Sequence, residues 1–257
     1  MIALFTDFGL EGPYVGQMKA VLSRLAPAVP VIDLFADLPP YDAQAAAYLL
    51  AAYAPELPTG AVFLCVVDPG VGGPRRPAVL EADGHLYVGP DNGLFEIVAR
   101  RAEAARWWEI VWRPEHLSAS FHGRDLFAPV AARLARGERL PDDSTEAVPG
   151  EDGELPIGMP RDLDDLRRRD WPDELARVVY VDRFGNAMTG LRASALRRGA
   201  VLGVGEHRLR HGQTFGDVAP GSPLWYENSN GLVEIAVNQG RADATLGIAV
   251  GAPVEIG

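Results

Sequence analysis

The chain is poor in the residues that build disulfides and soft-metal sites: one cysteine, Cys65, and five histidines among 257 residues. A single cysteine excludes an intrachain disulfide and a cysteine-based metal centre. Cys65 lies in an apolar run, residues 61–67, where it reads as a small buried strand residue. Positive charge is also scarce. Against 24 Lys and Arg stand 35 Asp and Glu, a formal net charge of −11. That balance leaves no excess of cations to neutralise phosphates, which argues against nucleic-acid and anionic-membrane surfaces and suits a cationic ligand. No uninterrupted apolar stretch approaches the ~20 residues of a membrane span. The first residues, Met1-Ile2-Ala3-Leu4-Phe5-Thr6-Asp7, lack the basic start and long apolar core of a signal peptide. A cytoplasmic location is expected, with no metal.

What is present is an ordinary globular composition, 47% hydrophobic and 23% charged, enough for one large or two modest domains. Residues 1–140 alternate short apolar runs with helical patterns. Strands are expected at 2–6, 29–34, 62–67 and 85–88. Helices are expected at 14–25, from Asp42 as cap to about 54, toward Arg101, and over 124–136 with a stop at Gly137. The unbroken hydrophobicity of 62–67 suits a parallel strand covered on both faces. The pattern predicts an α/β domain with a mainly parallel sheet flanked by helices. Residues 141–174 are polar and turn-rich, an irregular interdomain segment. Residues 175–257 read as a small all-β barrel or sandwich, with strands at 178–181, 200–204, 224–226, 232–237 and 244–249 and one short helix at 192–197.

Five clusters can carry chemistry. Thr6-Asp7-Phe8-Gly9 follows the first strand, where ligands bind in open α/β sheets; Asp7 can accept two hydrogen bonds from a ribose diol or can cap a turn. In Val66-Val67-Asp68-Pro69-Gly70-Val71-Gly72-Gly73-Pro74-Arg75-Arg76, a buried strand ends in Asp68 and a tight loop returns Arg75. It lacks the Gly-Lys-Ser/Thr ending of a phosphate loop. Ser120-Phe121-His122-Gly123-Arg124-Asp125 sets a histidine at a helix start, with Arg124 and Asp125 suited to pairing and capping. Asp182-Arg183-Phe184-Gly185-Asn186 and Asn228-Ser229-Asn230-Gly231 each read equally as hairpin turns. The latter leads into residues 232–238, where Asn238-Gln239-Gly240 can present backbone groups to a base edge.

In this order, over nearly the whole chain, the five clusters resemble the S-adenosylmethionine hydroxide adenosyltransferases, relatives of fluorinase and chlorinase. The resemblance implies hydrolysis of S-adenosylmethionine to adenosine and methionine, with S-adenosylmethionine as substrate and no cofactor. Asp68, Arg75 and His122 match the family's reactive Asp, Arg and His. Asp7 matches its ribose carboxylate. Phe184 and Asn186 match the residues that meet adenine, with the backbone around Val237 and Gln239 reading its edge. Asp182 and Ser229 match contacts to the methionine end, and Glu234 falls in the same binding segment. The family's members are trimers, with each site between the N-terminal domain of one subunit and the C-terminal domain of the next. Two positions depart from the pattern. Gly12 in Leu10-Glu11-Gly12-Pro13-Tyr14 stands where members often carry an aspartate, and Phe35-Ala36 where many have a histidine.

The chemistry suits these residues. The leaving group is a neutral thioether, so the task is to hold a water in line with C5′ of the ribose and sharpen its nucleophilicity. Asp68 can accept the water's proton or polarise it, with Arg75 and His122 fixing the geometry. Phe8, Tyr14 and Tyr41 offer faces to the sulfonium. Asp68 disfavours the halide-dependent relatives, because a carboxylate repels an incoming anion. Two other readings are weighed: a metal phosphohydrolase built on Asp7, Asp68, Asp91 and His122, whose ligands usually cluster more closely, and a non-catalytic adenosine or S-adenosylmethionine binder.

Overall fold

The computed structural model describes residues 1–141, 156–168, 170–197 and 199–257. They separate into two compact units, Met1–Leu50 with Leu57–Arg168, and Ala51–Glu56 with Arg169–Gly257.

The first unit is built on β1 (Ile2–Thr6), α1 (Tyr14–Leu25), β2 (Val31–Phe35), α2 (Ala43–Tyr53, its last three residues counted with the second unit), β3 (Val62–Val66), β4 (Pro77–Ala82), β5 (His85–Pro90), α3 (Glu96–Arg101), β6 (Ala105–Ile110), α4 (Ala128–Ala135) and β7 (Gly158–Arg161). Its sheet runs β2-β1-β3-β5-β4-β6-β7. The β2-β1-β3-β5 half is parallel and the β5-β4-β6-β7 half antiparallel. Every residue of β1 and β3 is buried, as the hydrophobicity of 62–67 predicts for a strand covered on both faces. On one face, Met18 and Leu22 of α1 and Val130, Ala131 and Leu134 of α4 pack with Ile2, Leu4, Leu64 and Val66. Asp42 caps α2 by accepting the Ala45 amide at 2.8 Å, and Gly137, at φ +91°, ends the α4 segment.

Of the antiparallel half only β5 was expected; β4, β6 and β7 have no counterpart in the sequence reading. Its pivot is the Asp83-Gly84 turn between β4 and β5, where both residues have positive φ (47° and 81°), as tight hairpins require. Residues 142–155 of the expected irregular segment lie outside the described residues. Beyond them, β7 pairs with β6, Trp107 opposite Arg161.

The second unit contains β8 (Leu175–Val181), β9 (Ala187–Arg192), β10 (Leu202–Val204), β11 (His207–Leu209), β12 (Pro223–Glu227), β13 (Leu232–Val237), α5 (Ala242–Leu246) and β14 (Glu255–Ile256). They form a four-stranded sheet, β12-β13-β9-β8, and a three-stranded one, β11-β10-β14. Two expectations are corrected. Residues 244–249 are not a strand: α5 occupies the first half of the run, with Asp243 accepting the Ala244 amide at 2.7 Å and Gly247 ending the turn at φ +63°. Burial of Ala242 and Leu246, one helical turn apart, favours this outcome. The helix at 192–197 is instead a single 3-10 turn, Ala193–Ala195, because β9 runs through Arg192 and Ala193 donates its amide across to Gly231. Among the described residues, no helix is long and apolar enough to cross a membrane.

Candidate active site

Thr6 and Val66 are partners in register at the carboxyl ends of β1 and β3. The chain therefore leaves both strands at one edge of the sheet, and Asp7 and Asp68 emerge side by side there. The Asp7 carboxylate accepts the Tyr41 amide at 3.0 Å. Tyr41 sits at φ +65°, an uncommon conformation for an aromatic residue, and is 77% exposed. Burial pushes the Asp7 carboxyl above its ordinary range; the Tyr41 amide opposes this, and the nearby charge of Asp68 adds to it.

The loop from Pro69 to Pro74 turns Arg75 back onto Asp68. Arg75 Nε donates to both carboxylate oxygens at 3.0 Å, and Nη2 reaches Oδ2 at 2.5 Å. These side chains are only 3% (Asp68) and 10% (Arg75) exposed. The same Nη2 meets His122 Nδ1 at 2.9 Å. A guanidinium can only donate, so Nδ1 must accept, which leaves the ring neutral with its proton on Nε2. The environment agrees: burial, then the positive charge of Arg75, hold His122 below the usual imidazole value. Gly72 explains how loop and histidine meet. At φ +76°, a Cβ there would lie 2.5 Å from the Ala119 carbonyl oxygen, so only glycine lets the loop dock on the segment leading to His122.

His122 precedes one π-helical turn, Gly123–Phe127, which runs into α4. Arg124 and Asp125 brace this entry, as expected. Asp125 accepts the Ser118 amide at 3.0 Å, and Arg124 grips Asp125 at 2.5 and 2.9 Å and Gln17 at 2.9 Å. Asp7, Phe8, Tyr14, Tyr41, Asp68 and His122 all line one cavity of ≈ 370 Å³, together with Phe121. Arg75 is not among the lining residues; it lies behind Asp68 and His122 and joins them. Phe8, Tyr14 and Phe121 form an aromatic wall with ring centroids 5.4 to 5.8 Å apart. Phe121 was not singled out by sequence reasoning, although it stands beside His122 in the motif.

A second cavity, ≈ 840 Å³, lies in the second unit and is lined by Asp182, Phe184, Asn186, Ser229, Glu234, Val237 and Gln239. All seven are residues that the sequence singles out. Asp182 closes its turn by accepting the Asn186 amide at 2.8 Å and the Asn186 side chain at 3.2 Å, and Phe184 at the tip is 74% exposed. Gln239, at φ +54°, lies in the turn closed by the Gly240 amide on the Val237 carbonyl. Glu234 is buried, and accepts the Tyr226 hydroxyl and, at 2.9 Å, the Asn228 side chain. Burial pushes its carboxyl above the ordinary range against the pull of these donors. Burial, with the charges of Glu234 and Asp182, also pushes the Tyr53 phenol up to about 12. Tyr53, Tyr226 and Asn228 line the cavity too and were missed. Tyr226 is the cross-strand neighbour of Glu234, a pairing visible once the hairpin is drawn, and Asn228 stood inside the quoted motif. Tyr53, at the end of α2, has no local signal.

Among the described residues, no group of three or more His, Cys, Asp and Glu side chains is placed to hold a metal. Asp91, a ligand in the metal reading, is bound by Arg76 and Arg168.

Comparison with known proteins agrees with the five-cluster resemblance. The profile of the SAM hydroxide adenosyltransferase N-terminal domain matches residues 2–143, and that of the C-terminal domain matches residues 176–255. A Thermus thermophilus protein named (R)-S-adenosyl-L-methionine hydrolase is 43% identical over 99% of this chain and 98% of its own length. One of the same name from Salinispora arenicola is 41% identical over 97% and 95%. The crystal structure of an uncharacterized conserved protein from Thermotoga maritima superposes with a TM-score of 0.79 at 33% identity, covering 100% of this chain and 99% of that one. The chain belongs to the SAM hydroxide adenosyltransferase family.

Proposed function

We propose that this protein hydrolyses S-adenosylmethionine to adenosine and methionine. The observation that carries the reading is the Asp68–Arg75–His122 chain at the wall of the first cavity, with Asp7 beside it. Asp68 accepts a hydrogen bond from the attacking water, and its orientation is fixed by three bonds to one rigid guanidinium. Neutral His122, protonated at Nε2, has a donor left for the water oxygen. As the water oxygen bonds to C5′, the C5′–S bond breaks and its electron pair returns to sulfur, giving uncharged methionine thioether. The water's proton leaves by way of Asp68 to solvent. Asp7 holds the ribose diol, and Phe8, Tyr14 and Tyr41 face the sulfonium. In the second unit, Phe184, Asn186 and the backbone at Val237 and Gln239 receive adenine. Asp182 and Ser229 take the methionine end, with Glu234 in the same wall.

The names of the full-length relatives support the same chemistry. Asp68 stands against halide attack, since an anion beside a carboxylate is repelled. The proposal includes residues 1–140 and 175–257 as the two domains, an irregular segment between them, and a cytoplasmic homotrimer. Each site would lie between the N-terminal domain of one subunit and the C-terminal domain of its neighbour. The substrate is the small molecule; neither a cofactor nor a nucleic acid takes part. Chromatography of S-adenosylmethionine incubated with the protein is the test. Adenosine and methionine should appear together, and Asp68→Ala should abolish turnover while largely sparing adenosine binding. Unchanged substrate would support the non-catalytic binder, and undiminished turnover in Asp68→Ala would refute the mechanism.

A further inference from the structure

The loop that joins Asp68 to Arg75 contains three glycines and two prolines among its six residues. Such a composition supplies sharp turns but little that fixes where the two ends stand. Yet the pair it closes is tight, and Arg75 must also reach His122. Something outside the loop has to hold its ends.

Two adjacent residues after β5 meet both ends. Asn92 Nδ2 donates to the carbonyl of Val67, the residue before Asp68, at 2.8 Å. Its Oδ1 accepts the Leu94 amide at 3.3 Å, which orients the amide so that the donor faces Val67. Asp91 takes the residue after Arg75. Its carboxylate accepts Arg76 Nε at 2.9 Å and Nη2 at 2.7 Å, and its own amide donates to the Arg76 carbonyl at 2.8 Å. The Asp91 side chain is only 4% exposed, and Arg168 binds its other oxygen at 3.2 Å. The Arg76 guanidinium is further held over the Trp107 ring, 4.8 Å from its centroid.

We propose that Asp91 and Asn92 are positioning residues for the reaction, a bracket that fixes the separation of the two loop ends and so brings Asp68 and Arg75 into register. Neither lines the cavity; Asn92 acts on the Val67 carbonyl, and Asp91 on the guanidinium and carbonyl of Arg76. The inference rests on the hydrolase reading and deepens it. A bracket of this kind is needed because the Arg75 guanidinium must satisfy a carboxylate and an imidazole at once. A drift of one end by about 1 Å breaks one of those contacts and is enough to slow a positioned reaction by roughly a hundredfold.

The test uses the full chain with S-adenosylmethionine. In Asn92→Asp the donor to Val67 is lost while the acceptor for Leu94 is kept. In Asp91→Asn the charge is lost and an acceptor for Arg76 is kept. For each folded variant we expect kcat to fall roughly 10- to 100-fold, with KM and adenosine affinity within about twofold of wild type. Placed on an Arg75→Lys background, the same substitutions should cost less than about threefold more, because the register they protect is already lost. A folded variant of either position with wild-type kcat would overturn the inference. So would losses that multiply in full on the Arg75→Lys background, since that is the behaviour of a general structural role. If Asn92→Asp does not fold, Asp91→Asn alone decides. Wild-type protein that leaves the substrate intact would instead refute the hydrolase reading itself.

Discussion

At the scale of single residues, the arrangement depends on the protonation of His122. Arg75 offers only donors, so the contact at Nδ1 survives only while the ring is neutral. Burial and Arg75 hold the folded-state value below 6.5. Below that lowered value the ring gains a proton at Nδ1, and Arg75 and His122 repel each other. The acid limb of turnover should therefore have its midpoint below pH 6.5. An acid limb centred at or above 6.5 in the kcat profile would contradict this. Stability follows the same sign. Between 6.5 and the folded value the unfolded chain binds the proton and the folded chain does not, so stability declines as pH falls through that window. Much of this was legible in the sequence. Asp68 and His122 were singled out by their places at a strand end and a helix start, and their role came only with the resemblance carried by the five motifs. What could not be read was the layering, with Arg75 behind the other two. That follows from side-chain directions at the sheet edge, which a linear motif does not carry.

At the scale of elements, the glycines of the 68–75 loop differ in what they do. Gly72 is the one that docks the loop against the Ala119 carbonyl. A Gly72→Ala substitution adds a Cβ where only 2.5 Å is free and demands a positive φ from alanine. It should separate the loop from the His122 segment and lower kcat at least about tenfold. The loop is exposed at Gly72, so the thermal midpoint should change far less than for a core glycine. Unaltered kcat in Gly72→Ala would show that this docking is dispensable. The parallel half of the sheet was readable because β1 and β3 are apolar without interruption. Beyond β5 the antiparallel half was not, since proline and arginine at the entrance to β4 read as loop. Residues 244–249 misled for a related reason: a short apolar run fits strand and helix alike, and the burial of Ala242 with Leu246 and the stop at Gly247 mark it as helix.

At the scale of the whole molecule, the residues proposed for one substrate are divided between two cavities, one in each unit. Exposed aromatic residues at each, Tyr41 at 77% and Phe184 at 74%, are unusual for surfaces that meet only water. The acidic surplus of the chain suits a sulfonium cation. A homotrimer with shared sites makes a direct prediction. Inactive Asp68→Ala chains and inactive Asp182→Ala chains, mixed under conditions of subunit exchange, should regain activity, because some sites then receive both intact halves. Solution mass should correspond to three chains. No recovery on mixing, or full activity in a monomer, would contradict the shared site. Trimer and shared site were implied by resemblance alone, since nothing in one chain's composition specifies a partner.

The central claim is that water attacks C5′ of the ribose, and isotope placement tests it most directly. The reaction is run in heavy-oxygen water and the products are examined by mass spectrometry. The account predicts one heavy oxygen in the 5′-hydroxyl of adenosine and none in methionine. Adenosine without the label, or label in the amino-acid product, would contradict it.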